Sequence, residues 1–537
     1  MARQRMSSAD SVFVHLEDPT NLMMVTAVML LGTPVDYVRL ATIMEHRLLA
    51  FDRFRQRVVA SRLHRGTLYW KDVAGIDLDY HLQRATLSVP GDQAALQETV
   101  SLLASRPLEL SRPLWQFHLV ESYGQGSALI CRLHHSLGDG MALMQVLLSL
   151  ADDYRDAAQP TSPAGAAQLP RRGWQDTPLT SMYGRFRARR QRAHQLGRKA
   201  LSLLGQPPSI ASAAEKGIEV AAAVAKLGLA GPDPATVLKG ELGVTKRAAW
   251  SERISLGDVK TVGSQLGGTV NDVLLAAVTG ALRRYLHERG DPLKDAEFRA
   301  TIPVNMRTPG TEDELGNQIG VYLLDLPVGI VDPVARFREL KERMDRIKHS
   351  PEASVTSLGL KAVGRFSART QRCLINLLGI KATSVITNVR GPEEQLYLAG
   401  APLEALLAWV PKAGGLGIGV SILSYVGQVR LGVITDAGLV PDPETIVAGI
   451  QAEFDALLAL AQQTREMPAA AELGDMLDDA LATLDSLLTE DQAKGPNAQA
   501  GALARCRALT KTGRLCRNRA LPGSDFCHVH EPERHRP

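Results

Sequence analysis

Two spacings of apolar residues alternate along this chain: short continuous or every-other-residue runs, and stripes that return every three to four positions. Ser127 to Leu133 is a mostly apolar run of the kind that forms a covered strand. Just beyond it Met141, Met144, Leu147, Leu148 and Ala151 recur at helical spacing. Arg253 to Leu256, Thr383 to Val389, Ile418 to Tyr425 and Val429 to Thr435 read as further strands, the last two closing a hairpin across Gly427. Thr269 to Leu286 predicts a helix whose apolar stripe includes Val270, Val273, Leu274, Ala277, Val278, Ala281 and Leu282. Thr269 and Asp272 have the spacing of a capping box for that helix. Asp442-Pro443-Glu444 opens another helix, carrying Ile446, Ile450, Phe454, Leu457 and Leu458. Leu473, Leu477, Leu481, Leu484 and Leu488 predict an acidic amphipathic helix after it. Strands and helices mix in both halves, which gives a mixed α/β class, and no internal repeat is visible.

At 537 residues the chain exceeds one ordinary core. Residues 156–170 are rich in Ala, Pro, Gly and Gln and suit a linker. The pattern divides the chain into a first lobe (1–156), a linker and basic crossover (157–240), a second lobe (241–467), an acidic helix with a flexible joint (468–501) and a small tail (502–537). The most apolar run, Leu22 to Leu31, is too short to span a bilayer and contains Thr26. The basic N-terminal residues have no apolar segment or cleavage site behind them, so a cytoplasmic location is expected.

The net charge of +4 is uneven. Residues 505–537 hold eight basic and three acidic side chains, which leaves the remainder close to neutral. No nucleic-acid partner is expected for the main body. Between Arg185 and Lys199 lie Arg185, Arg187, Arg189, Arg190, Arg192, Arg198 and Lys199 with no acid among them. That stretch suits peripheral contact with an anionic membrane or lipid inclusion, and equally a solvated crossover whose arginines pair with acids elsewhere.

The chemistry concentrates in His134-His135-Ser136-Leu137-Gly138-Asp139-Gly140, between the covered strand and the helix that follows. Backbone N–H groups are free at such a junction and side chains can face a cleft. Imidazole takes and returns a proton near neutral pH, so one of the two histidines is a candidate base. A plainer reading makes Asp139 an N-cap, Gly138 and Gly140 turn formers and the histidines core residues.

This segment resembles the signature of acyltransferases with the chloramphenicol acetyltransferase fold. Further stretches narrow the resemblance to the bacterial wax ester synthase/diacylglycerol acyltransferase family. They are Met6-Ser7-Ser8-Ala9-Asp10 with Glu17-Asp18-Pro19-Thr20-Asn21, Pro113-Leu114-Trp115, Asn271-Asp272, Pro303-Val304-Asn305-Met306-Arg307, Gly316-Asn317-Gln318-Ile319-Gly320 and Thr387-Asn388-Val389-Arg390-Gly391-Pro392. The resemblance runs from about residue 6 to about 465. It implies two chloramphenicol acetyltransferase-like lobes around a central channel, and transfer of a fatty acyl group from acyl-CoA to diacylglycerol or a fatty alcohol without a catalytic cofactor. His135 is then the expected general base, His134 orients or packs beside it, and Asp139 fixes the loop through a buried charge-assisted bond. Gly138, Gly140, Leu114, Trp115 and Asn271 are the expected substrate-facing residues, Asn271 as a candidate oxyanion donor, although Pro-Leu-Trp is equally a packing corner. The Asn305-Met306 pair departs from the family's more usual Ser and Val. Two rivals are a condensation-type enzyme with a carrier-protein thioester and a lipid-inclusion protein without catalysis.

The tail is a separate matter. Cys506, Cys516 and Cys527 are three of only five cysteines, and His530 follows Cys527 at Cys-x-x-His spacing. Three thiolates and one imidazole complete a tetrahedral zinc shell, which holds together a piece too small for its own core.

Overall fold

The computed structural model describes residues 3–61, 66–155, 231–294, 296–307, 315–348, 350, 352–364, 366–466, 479–483, 505–509, 515–518, 520 and 525–527. The basic stretch 185–199 and most of the expected acidic helix lie outside these, although residues 479–483 are helical. The chain forms two compact units, Met1–Arg465 and Glu466–Pro537.

Two large sheets organise the first unit. One has the strand order Tyr397–Leu398, Ala401–Trp409, Met24–Leu31, Gly126–His134, Trp115–Tyr123, Leu82–Ala85. The other runs Ile319–Leu326, Phe298–Asn305, Ser384–Arg390, Ile418–Tyr425, Gln428–Asp436, Lys246–Trp250, with Ile254–Ser255 also paired to Gln428–Asp436. A small third sheet joins Arg3–Arg5, Leu68–Asp72 and Gln56–Ala60. The expected hairpin forms, with Tyr425 opposite Gln428 and Gly427 at φ +71°.

The apolar runs form strands because both of their faces are covered. Every residue of Met24–Leu31 and Gly126–His134 is buried. Their side chains alternate between two cores. Ala27, Met29, Leu31, Leu129, Cys131 and Leu133 face a core that also takes in Leu398, Leu403, Leu406 and Tyr425. Val28, Leu30, Ala128 and Ile130 face a cluster that also contains Trp250, Trp409 and Ile434 from the second half of the chain.

The two lobes interlock. Ala401–Trp409 leaves the second half of the sequence and pairs antiparallel with Met24–Leu31 of the first, so the sequence boundary near residue 156 is not a boundary between sheets. Lys246 Nζ donates to Asp436 Oδ2 at 2.6 Å and to the carbonyls of Thr20 at 2.7 Å and Gly243 at 2.8 Å, tying the segment before Met24–Leu31 to the second sheet. Beside this pair, burial and the Lys246 charge push the Lys412 ammonium down to about 7.

Helix Val270–Glu288 fills the second lobe's core, with Val273, Leu274, Ala277, Val278, Ala281 and Leu282 all buried. Its expected capping box is present: Thr269 Oγ1 accepts from the Asp272 N–H and Asp272 Oδ2 accepts from the Thr269 N–H.

Candidate active site

His134 is the last residue of Gly126–His134, opposite Met24 in the ladder. The chain then turns tightly, with the Leu137 N–H donating to the His134 carbonyl at 3.0 Å, and enters helix Gly140–Ser149. Asp139 caps that helix from extended backbone (φ −71°, ψ 170°), its Oδ1 accepting from the Ala142 N–H at 3.1 Å. Gly138 sits in a tight turn: a Cβ there would stand 3.2 Å from the Ala142 Cβ. Gly140 opens the helix, and a Cβ there would stand 3.4 Å from Val410 Cγ1.

Asp139 is fully engaged. Besides capping, its Oδ1 takes the Arg307 Nη1 at 2.6 Å and its Oδ2 takes the Gln318 N–H at 3.0 Å. The Gly316 carbonyl accepts from the Asp139 N–H at 3.3 Å and from Arg307 Nη2 at 2.6 Å, with Gly316 in a conformation (φ +129°) that favours glycine. Both charged side chains are almost wholly buried. A carboxylate so occupied braces the turn through buried charge-assisted bonds.

His134 braces it too. Its Nδ1 accepts from the Ser136 N–H at 3.1 Å, which puts the ring proton on Nε2, 3.4 Å from Glu17 Oε2. Glu17 Oε2 in turn accepts from the Met23 N–H at 2.6 Å.

His135 differs. Its N–H donates to the Met23 carbonyl at 2.8 Å, its ring stacks on Phe13 with centroids 4.2 Å apart, and its Nδ1 is buried without a hydrogen-bond partner. The ring is 4% exposed. Burial pushes its pKa from 6.5 down to about 4, against the opposing pull of the Asp139 charge and the Asn317 side chain. At neutral pH His135 is therefore an uncharged imidazole.

Residues that the motifs contain, but to which the sequence assigns no role, complete the surroundings. Asn317 Nδ2 donates to the His135 carbonyl at 2.9 Å and to Asp10 Oδ1 at 2.8 Å, and the Asn317 N–H also donates to Asp10 Oδ1. Arg53 Nη1 lies 3.5 Å from Asp10 Oδ2. Asp10, Asn317 and Arg307 all stand in the family-like stretches; only the fold brings them to one turn.

Asn271 is buried on the second lobe's central helix, its Oδ1 accepting from Asn388 Nδ2 at 2.8 Å while its own Nδ2 has no partner. Leu114 and Trp115 are wholly buried. Trp115 stacks on His81 at 4.1 Å, and its indole N–H donates to the Phe54 carbonyl at 2.9 Å. A cleft of about 620 Å³ opens nearby, lined among others by Leu16, Asn21, Met23, Arg372, Asn376 and Ile380. Met23 is the residue whose carbonyl holds the His135 amide.

In the tail, the thiols of Cys506, Cys516 and Cys527 are buried and lie within 4.8 Å of one another, a cluster able to hold a metal ion. His530, the fourth donor suggested by spacing, lies outside the described residues. Among the described residues no helix is long and apolar enough to cross a membrane.

Residues 6–274 match the wax ester synthase/diacylglycerol acyltransferase catalytic domain, and residues 315–458 match the C-terminal domain of the same family. A probable diacylglycerol O-acyltransferase of Mycobacterium tuberculosis is 26% identical over 473 residues, covering 86% of this chain and 97% of the relative. A putative diacylglycerol O-acyltransferase of the same organism is 28% identical over 440 residues, or 80% of this chain and 86% of the relative. The fold is similar to the wax ester synthase/diacylglycerol acyltransferase from Marinobacter aquaeolei VT8, with a TM-score of 0.61, 23% identity and coverage of 86% of this chain and 100% of that one. It is also similar to the first condensation domain of the calcium-dependent antibiotic synthetase, with a TM-score of 0.53, 17% identity and coverage of 86% and 96%.

The depressed His135 pKa makes a signed prediction. An essential neutral imidazole keeps kcat/KM level from pH 8 to pH 6 and lets it fall only as pH approaches about 4. The fold loses stability over the higher range, from pH 6.5 downward to about 4, because the unfolded chain takes the proton first. Brief pH-jump assays separate the two effects, and an activity limb centred near 6.5 would contradict the buried neutral ring.

Proposed function

Because the chain belongs to the wax ester synthase/diacylglycerol acyltransferase family, we propose that His135 is the general base that moves a fatty acyl group from acyl-CoA to the hydroxyl of diacylglycerol or a long-chain alcohol. The observation that carries this reading is a neutral, buried imidazole on a turn that is braced from both lobes. His135 takes the hydroxyl proton as the oxygen attacks the thioester carbonyl. The tetrahedral intermediate collapses by expelling the CoA thiolate, and the imidazolium returns its proton to that sulfur. Thiolates leave readily, since a simple thiol has a pKa near 8.5.

Charging a buried ring is costly, but here the opposite charge appears on the oxyanion in the same step. Base and oxyanion stabilise each other in a site shielded from water. Asn271 Nδ2, a buried donor without a partner, is the candidate to meet that oxyanion. The cleft beside Met23 is the candidate entrance, and its volume falls in the range of ligand sites. Acyl transfer of this kind needs no cofactor.

Peripheral contact with lipid fits a reaction whose acceptor is insoluble, and the seven basic residues between Arg185 and Lys199 are the sequence feature that supports it. Purified protein with palmitoyl-CoA, and either hexadecanol or dipalmitoylglycerol in vesicles, should release free thiol. His135→Ala should lower that rate by at least about a hundredfold, and equal turnover in the variant would remove His135 as base. Anionic vesicles should give the faster rate, and a fourfold Arg→Ser change at Arg185, Arg187, Arg189 and Arg190 should abolish the difference. No thiol release from acyl-CoA in any arm would favour a carrier-bound donor or a binding protein instead.

The three tail thiols are read as a structural zinc site. Among the described residues their core holds the three cysteines with Ala508 and Phe526 packed against them, too little to fold by burial alone. Asn518 Nδ2 lies 3.7 Å from the Cys527 sulfur, the kind of donor that steadies a thiolate. Metal analysis of the full chain should find one zinc per molecule, lost in Cys516→Ser with acyl transfer unchanged. Less than half an equivalent in the parent protein would count against zinc.

A further inference from the structure

Around His135 two buried polar atoms stand unsatisfied, and they are complementary. One is the ring's Nδ1; the other is the side-chain oxygen of Asn317. The orientation of the Asn317 amide is not arbitrary. Its nitrogen meets the Asp10 carboxylate at 2.8 Å and the His135 carbonyl at 2.9 Å, both of which only accept hydrogen bonds. Turning the amide over would set its oxygen against two oxygens. The arrangement therefore fixes Oδ1 as a buried acceptor on the residue that already grips the His135 backbone.

Asp10 is in turn immobilised. Its N–H donates to Ser7 Oγ at 3.0 Å, its Oδ1 takes two Asn317 donors, and Arg53 stands 3.5 Å from its Oδ2. Arg53 itself lies over the Trp70 ring at 4.5 Å. The groups that face the His135 ring are Phe13 on its face, Asn317, the charge of Asp139, the neighbouring His134 and the residue's own backbone carbonyl, which already accepts from Asn317 Nδ2. Asp139 is committed to Arg307, Gln318 and Ala142, which leaves Asn317 as the unsatisfied acceptor beside the ring.

We propose that Asn317, held by Asp10, is a positioning residue that accepts the Nδ1–H of His135 during turnover and so keeps Nε2 as the nitrogen facing the reacting hydroxyl. A ring with the opposite tautomer would present an N–H where a base is needed. The Asn317 side chain already favours the protonated ring in the resting protein, and turnover tightens this contact. The inference rests on His135 being the base.

The test is a panel of Asn317→Ala, the exchange Asp10→Asn/Asn317→Asp, and His135→Ala, each followed by kcat, KM for acyl-CoA, the pH profile and thermal unfolding. Asn317→Ala should lose about tenfold to a hundredfold in kcat with KM within about twofold of the parent, a smaller loss than removal of the base itself. The exchange offers a carboxylate acceptor to Nδ1 and keeps the total charge, at the loss of the side-chain donation from residue 317 to the His135 carbonyl. It should recover at least about tenfold over Asn317→Ala and move the acid limb to higher pH, because a carboxylate stabilises the imidazolium. Parent-like kcat in Asn317→Ala, a loss confined to KM, or an exchange variant that melts like the parent with an unmoved acid limb would each overturn the proposal. If Asn317→Ala does not fold, the exchange variant's limb decides alone. Retained activity in His135→Ala would instead sink the base assignment, whereas an inactive His135→Ala beside a parent-like Asn317→Ala removes only the positioning role.

Discussion

The buried ion pair between Asp139 and Arg307 is the constraint on which the remaining geometry depends. Asp139 belongs to the first lobe's strand-to-helix turn, and Arg307 follows the second sheet's strand Phe298–Asn305. Neither charge could stay at such depth alone. Removing one member of a buried pair costs about 3–5 kcal/mol, because the other is left uncompensated. Here each is satisfied further, Asp139 by two backbone N–H groups and Arg307 by the Gly316 carbonyl. The pair therefore works as a latch: it stabilises the site only while both lobes and the Gly316 turn are in register, and that register also presents Asn317 to His135.

Around this latch the two histidines take unlike roles from nearly the same position. His134 turns its ring back into the loop, where the Ser136 N–H and Glu17 fix it. His135 turns its ring against Phe13 and keeps a nitrogen unsatisfied. A single imidazole cannot both hold the turn and remain free to move a proton, so adjacent histidines suit a brace beside the proposed base.

Much of this was legible in the sequence because it is local. The covered strand before His134, the helix after Asp139, the Thr269–Asp272 capping box and the hairpin across Gly427 all rest on contacts within a few residues. What was not legible depends on contacts between distant segments. Asp10 meets Asn317 across 307 residues, and Asp139 meets Arg307 across 168. Spacing could place each in a suggestive stretch but not in each other's reach. The insertion of Ala401–Trp409 into the first sheet was hidden for the same reason, since an apolar run does not say which neighbour it will pair with. Pro113-Leu114-Trp115 left two readings open, channel wall or packing corner, and only the fold shows that Trp115 stacks on His81 and donates to the Phe54 carbonyl.

A double-mutant cycle on Asp139→Asn and Arg307→Met, read as kcat for acyl transfer and as unfolding free energy, tests the latch most directly. Each single change should lower both quantities and the double variant should be no worse than the poorer single, with a coupling in unfolding free energy of about 3 kcal/mol. Losses that simply add would contradict it, because the two side chains would then act independently and the turn bearing His135 would be held by something else.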